Sequence, residues 1–121
     1  MQTGRYLQQR LLSFKYAFQG IIAFLRSEPH ARIHAVATVV VVAAGFYYRL
    51  SANQWIAILI VTGMVWITEM LNTVVEKIMD YLSPEIHPRV KWIKDVAAGA
   101  VLVSALVAAI TGAVIFIPIL C

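Results

Sequence analysis

The sequence predicts an all-α integral membrane fold: an N-terminal amphipathic surface helix followed by three transmembrane helices. Three observations carry this. Of the 121 residues, 61% are hydrophobic and only 13% are charged, against roughly 25% charged in ordinary soluble domains. Three apolar runs are long enough to cross a hydrocarbon core. The basic residues gather at the ends of those runs, where anionic headgroups and the positive-inside rule place them. A chain this short has little interior in which to hide so much apolar surface, so much of it should face lipid or neighbouring subunits, and a homo-oligomer is expected.

The elements follow in order. From about residue 5 to 25, Tyr6, Leu7, Leu11, Leu12, Phe14, Phe18, Ile21, Ile22 and Leu25 recur at helical spacing, with Arg5, Gln8, Gln9, Lys15 and Gln19 on the other side. That pattern predicts a helix lying in the membrane interface. Met1 to Gly20 begins polar and amphipathic, without the basic start, apolar core and small-residue site of a cleaved signal peptide, and none is expected. The first span is predicted over about 33–49, ending at Arg49. Ser51-Ala52-Asn53 should form a tight turn with Ser51 or Asn53 as the helix cap. The second span, about 54–82, is longer than a bilayer core at ~1.5 Å per residue, so its charged end, from Glu69 onward, should protrude into the interface. Ser83-Pro84 should stop it, and the segment through Pro88 reads as the one real loop. The third span, about 92–119, carries Ala97, Ala98, Gly99, Ala100, Ser104, Ala105, Ala108, Ala109, Gly112 and Ala113, small residues that let helices pack closely in lipid. With no repeat, low-complexity tract or linker, residues 1–121 read as a single membrane domain.

Ten Lys+Arg against six Asp+Glu give a formal charge of +4. Because these cations flank apolar runs and no solvated basic surface carries readers of bases, a nucleic-acid partner is not expected. Arg5, Arg10, Lys15, Arg26 and Arg32 precede the first span, and Lys77, Arg89, Lys91 and Lys94 surround the loop before the third, whereas the opposite side has only Arg49. The N-terminus and the Pro84 loop should therefore be cytoplasmic and the C-terminus outside. Cys121 is the single cysteine, which excludes an internal disulfide and any cysteine-based metal cluster.

The segment from Glu69 to Asp80 carries the chemistry. Spacings of three and four bring Glu69, Asn72, Glu76 and Asp80 onto one helical stripe. Three carboxylates and a carboxamide beside the bilayer need protein, water or a cation to accommodate them. Two readings fit. In one the stripe is a structural network paired with Lys77, Lys94 or Arg32. In the other it holds magnesium, which takes one or two carboxylates and completes its shell with water and phosphate, leaving a carboxylate free to act as general base toward a hydroxyl.

Glu69 to Asp80 resembles the signature of the prokaryotic diacylglycerol kinases, Glu-x-x-Asn-[Ser/Thr]-x-x-Glu-x-x-x-Asp. Further matches in order are Phe14-Lys15-Tyr16-Ala17 through Gly20, Arg26-x-Glu28, Arg32-x-His34, Trp55, His87-Pro88, and Lys94-Asp95-x-Ala97-Ala98-x-Ala100-Val101. The resemblance covers nearly the whole chain. Arg26-x-Glu28, Arg32-x-His34, His87-Pro88 and Ile115-Phe116-Ile117-Pro118 look more like the undecaprenol kinase branch. Val74 stands where the signature often has a small residue, a departure that touches packing and leaves the polar positions intact.

The resemblance implies a multi-pass lipid kinase of the bacterial inner membrane that transfers phosphate from ATP, with Mg2+, to undecaprenol or, alternatively, to diacylglycerol. It further implies a homotrimer with active sites shared between subunits. Glu69 would be the general base; Glu28 and Glu76 would hold the metal; Tyr16, Glu28, Glu76, Glu85, Ile86, His87, Lys94 and Asp95 would contact nucleotide. Asn72 and Asp80 would support them, and Glu69, Trp55 and Ala98 would meet the lipid substrate. Phosphoryl transfer asks mainly for positioning and charge neutralisation, so such a cluster can serve without a Gly-rich phosphate loop.

Taken on their own, several of these residues have plainer readings. His34 serves equally as an interfacial anchor of the first span. His30 and His87 are too scattered for a zinc site. Trp55, Trp66 and Trp92 suit interface anchors or packing residues. Lys94 and Asp95 could form a simple ion pair, and Glu28 before Pro29 could only end the surface helix. A non-enzymatic membrane subunit or a small transporter is the competing class. A transporter, however, needs polar groups along a path through the bilayer, whereas this chain gathers them at one interface.

Overall fold

The structure is a computed structural model that describes residues 2–85 and 87–121. Its elements are the helices α1 (Gln2–Ser27), α2 (Pro29–Tyr47), α3 (Ala52–Leu82) and α4 (Pro88–Leu120). The last three are long and apolar enough to cross a membrane. The chain divides into two compact units, one reaching to Val36 and the other Ala37–Cys121.

In the first unit, α1 and the start of α2 are separated by Glu28 alone. Pro29 has no N–H to give to α1 and disfavours helical backbone at the residue before it, yet its fixed φ suits the first turn of a new helix. The Glu28 N–H still donates to the Phe24 carbonyl at 3.0 Å, while the Glu28 carbonyl accepts from the Ala31 N–H at 3.1 Å. The Arg32 guanidinium spans the break to the Arg26 carbonyl at 3.3 Å. Gln2–Ala23 are exposed on all sides, their apolar members Leu7, Leu11, Phe14 and Phe18 included.

In the second unit α2 turns into α3 within four residues. Arg49, at φ 55°, is in the left-handed region, which lets the Leu50 N–H reach the Gly45 carbonyl at 3.1 Å and buries Leu50. Ser51 then caps α3. Its hydroxyl accepts from the Gln54 N–H at 3.3 Å, while the Gln54 side chain accepts from the Ser51 N–H at 2.9 Å, the reciprocal arrangement of a capping box. The turn is thus Tyr48 to Leu50, upstream of the expected Ser51 to Asn53, because this cap draws Ala52 and Asn53 into the helix. The other boundaries differ as their prolines dictate: α2 begins at Pro29 instead of about 33, and α4 at Pro88 instead of about 92.

Helices α3 and α4 form an antiparallel pair, the extensive interhelical contact of this unit. At one end Ile58 and Ile115 pack together with Leu50; at the other Asp80 meets Lys94 at 2.6 Å. Between them the α4 side of the seam is Ala97, Val101, Ser104, Ala108, Thr111 and Ile115, all buried or half-buried at alternating spacings of four and three. Most are small, which allows the close approach that substitutes for a hydrophobic driving force in lipid. The outward faces carry exposed Val39, Val40, Leu59, Ile60, Leu102, Val103, Ile110 and Val114, a surface suited to acyl chains. Helix α2 is tied to α3 by the Trp66 indole N–H, which donates to the Thr38 hydroxyl at 2.9 Å.

Gly45 is a point of close approach. A Cβ there would lie 2.5 Å from Cη2 of Trp55, whose ring also packs on Phe46 with centroids 4.9 Å apart. Gly45→Ala is therefore expected to destabilise the protein by about 1–3 kcal/mol through overpacking, read as a lower unfolding midpoint in detergent. Gly63→Ala, where a Cβ meets nothing within 4 Å, should leave the midpoint unchanged or raise it. Equal behaviour of the two variants would contradict the packing described.

Candidate functional site

The polar stripe begins at Glu69, just past the midpoint of α3, and lies within roughly the last four turns of the helix. Glu69 is only 8% exposed, so its side chain is largely withdrawn from water. Thr73 does not compete for it, because its hydroxyl turns back to the Glu69 carbonyl at 3.0 Å. One turn on, Asn72 donates from Nδ2 to Oε1 of Glu76 at 3.3 Å. The Asn72 Oδ1 atom is buried and has no hydrogen-bond partner among the described residues. A buried oxygen without a donor is costly, and a cation or a donor on a bound substrate would relieve it. Asp80 ends the stripe in its ion pair with Lys94.

The α3–α4 connection completes this end. Ser83 donates its N–H to the Met79 carbonyl, and His87 caps α4 with Nδ1 accepting from the Arg89 N–H at 3.1 Å. Around this corner lies an open cavity of about 280 Å³ lined by Ser83, Pro84, Glu85, His87, Val90, Lys91, Lys94 and Asp95. Glu85, His87, Lys94 and Asp95, each expected at a nucleotide site, are thus gathered at one corner. Ile86 lies outside the described residues. Lys91, with its salt bridge to Asp95 at 2.5 Å, lines the same cavity and was missed, although its place one turn before Asp95 was visible in the spacing.

One of the plainer readings is modified. Lys94 pairs with Asp80 and Asp95 with Lys91, not Lys94 with Asp95, since adjacent residues on a helix diverge by about 100°. Trp55 stands 14 residues before Glu69, about 21 Å along the axis, in the core with Ile58 and Ile115; the structure does not bring it to the carboxylate. Ala98 is exposed on α4, near the level of Glu76 as counted from the Asp80–Lys94 pair. In the first unit, Tyr16 is exposed on α1 and Glu28 is half-buried at the α1–α2 break.

Among the described residues no three His, Cys, Asp or Glu side chains converge on a point that could hold a metal. A protein-only cage is not what magnesium requires. It is commonly held by one or two carboxylates together with water and substrate phosphate, and the donors here, the Glu76 carboxylate beside the buried Asn72 Oδ1, are hard oxygens that fit it.

This is a helical protein built for a membrane, with an oxygen-rich stripe and a lysine-bearing cavity gathered at one end of its longest helices. It belongs to the prokaryotic diacylglycerol kinase family, whose model matches residues 15–116. The chain is 39% identical over 106 residues to the undecaprenol kinase of Bacillus subtilis (strain 168), covering 88% of this chain and 86% of that protein. It is 34% identical over 109 residues to a diacylglycerol kinase of Synechocystis, covering 89% of this chain and 62% of that protein. To the diacylglycerol kinase of Pseudomonas aeruginosa it is 30% identical over 116 residues, 96% of this chain and 93% of that one.

The Asp80–Lys94 pair separates a structural role from a functional one. Its side chains are 63% and 37% exposed, and exposed pairs contribute about 0.2–1 kcal/mol. Lys94→Met should shift the unfolding free energy in detergent by less than about 1 kcal/mol. A loss well beyond that would make the pair a structural keystone.

Proposed function

We propose that this chain is an inner-membrane lipid kinase that transfers the γ-phosphoryl group of ATP to the hydroxyl of undecaprenol. Family membership and the identity to an undecaprenol kinase support the reading. The observation that carries it is Glu69, buried at the apolar end of a stripe that runs through half-buried Asn72 to exposed Glu76 and Asp80, the last paired with Lys94, which lines an open cavity. An acceptor hydroxyl anchored in lipid and a soluble nucleotide have to meet at that kind of boundary.

Depth divides the work. Glu69 lies about 10 Å further along α3 than Glu76, toward the apolar end, and takes the proton of the lipid hydroxyl. The freed oxygen attacks the γ-phosphorus, the bond to the β,γ-bridging oxygen breaks, and ADP leaves. Glu76 and Glu28 would hold magnesium, which would supply positive charge against the nucleotide phosphates. Asn72 orients the Glu76 carboxylate through its amide. Lys94 and Lys91 face the anionic nucleotide, with Glu85, Ile86, His87, Asp95 and Tyr16 around it. Asp80 holds Lys94 in place.

The same reading sets the α1 face with Leu7, Leu11, Phe14 and Phe18 in the cytoplasmic interface, the α3–α4 connection in the cytoplasm and Cys121 outside. The abundant exposed apolar surface and the small residues of α4 favour close packing of subunits, and the family resemblance points to a trimer with sites shared between them. Trp55, far from the hydroxyl, would touch only the long isoprenoid tail, and Ala98 would leave room near the head of the acceptor.

Side-by-side assays of purified protein in mixed micelles should give faster phosphorylation of undecaprenol than of diacylglycerol; the reverse order would assign the diacylglycerol reaction. Glu76→Gln should remove nearly all turnover at ordinary magnesium while leaving the fold intact, since an amide cannot replace a charged ligand. Glu69→Gln should abolish transfer yet bind a fluorescent ATP analogue almost normally. Loss of nucleotide binding in that variant would place the base elsewhere. Mixing Glu69→Gln subunits with Lys94→Leu subunits should restore part of the activity; complete absence of complementation would argue against shared sites.

A further inference from the structure

Two polar side chains are buried in the described structure, Glu69 and Ser104, the latter only 3% exposed. They lie on opposite helices of one seam. Ile58 of α3 and Ile115 of α4 belong to one packed cluster and fix the register. Glu69 stands eleven residues after Ile58, and Ser104 eleven before Ile115. Eleven residues are close to three full turns, so each returns to the face of its own isoleucine, and equal steps along antiparallel helices keep them level. Asp80 and Lys94, meeting at 2.6 Å, confirm the same register from the other end.

Hydroxyls on helices commonly turn back to a carbonyl one turn earlier. Ser13, Thr68 and Thr73 do so, at 3.0, 2.9 and 3.0 Å. Ser104, buried in the same apolar seam, shows no such return bond among the described residues. Helices packed this way are about 8–10 Å apart, a separation across which a hydroxyl and a carboxylate meet through one side-chain rotation or one bridging water.

The geometry points to Ser104 as a positioning residue for Glu69: its hydroxyl donates, directly or through one water, to the carboxylate and fixes the direction from which Glu69 approaches the lipid hydroxyl. The inference rests on the assignment of Glu69 as proton acceptor. A small residue alone would satisfy the packing of α4, and alanine does so at Ala97 and Ala108 in the same seam. The hydroxyl therefore needs a reason beyond size.

Ser104→Ala separates the two roles because it deletes one oxygen and cannot crowd the seam. It should lower kcat roughly tenfold, the scale of one hydrogen bond to a charged group, with the KM for ATP and the unfolding midpoint unchanged. Ser104→Thr should recover much of the loss. Thr111→Val, two turns further on the same face, should do neither. A readout without turnover accompanies these: the side-chain carboxyl ¹³C resonance of Glu69, assigned by its absence in Glu69→Gln, should shift in Ser104→Ala and not in Thr111→Val. Wild-type kcat together with an unmoved resonance in Ser104→Ala would overturn the proposal, as would an equal shift in Thr111→Val. If the wild-type protein phosphorylates no lipid, the kinase reading fails while the resonance still decides whether Ser104 holds Glu69.

Discussion

The α3–α4 seam is the contact on which the remaining features of this chain depend, because it holds in register the helix that carries the buried Glu69. In hydrocarbon each backbone N–H and C=O has to be satisfied within its own helix, so neither helix can bend open to solvate Glu69. What remains adjustable is side-chain size. Ala97, Ala108 and Thr111 bring α4 close, Ile58 and Ile115 lock the far end, and Asp80 with Lys94 closes the near end. Sliding one helix by a single residue would turn Glu69 out of the seam and break both closures together.

The seam also explains why the chemistry sits where it does. A polar residue deeper in α3 than Glu69 would have to be paired entirely by protein, whereas those toward the end of the helix can share their solvation with water, cation and substrate. The stripe grades from one regime to the other: Glu69 is buried, Asn72 half-buried, Glu76 and Asp80 exposed. Over about 16 Å of helix the surroundings pass from lipid-like to aqueous, which suits joining an acceptor dissolved in the bilayer to a donor dissolved in the cytoplasm.

Much of this was legible in the sequence, for physical reasons. Periodicity of three and four needs no knowledge of the fold to put Glu69, Asn72, Glu76 and Asp80 on one face, and the apolar runs announce themselves by length. The loop residues Glu85 and His87 and the helix residues Lys94 and Asp95 share a corner because the connection between α3 and α4 is too short to separate them. What the sequence did not disclose depends on three-dimensional pairing. The sequence offered Lys94 both the stripe and its neighbour Asp95 as partners, and only the fold selects Asp80, fourteen residues away. The tilt of the Trp55 ring onto Gly45 and Phe46 is equally invisible in a string of letters. Helix starts at Pro29 and Pro88 were displaced because hydropathy marks where a segment becomes apolar, while the helix begins earlier, where proline and a capping group allow it.

The compact Tyr48–Ser51 turn bears on how the protein is made. Between Arg32 and Glu69 the only fully charged side chain is Arg49, and it sits at positive φ in the α2–α3 turn. In the proposed orientation, this one guanidinium is all the charge that must pass through the bilayer for two helices to be threaded, at a cost of about 2.5–3.5 kcal/mol at the midplane on translocation scales. The cap at Ser51 and the Trp66–Thr38 bond both lie within this hairpin, so α2 and α3 are held together by contacts that need no part of α4.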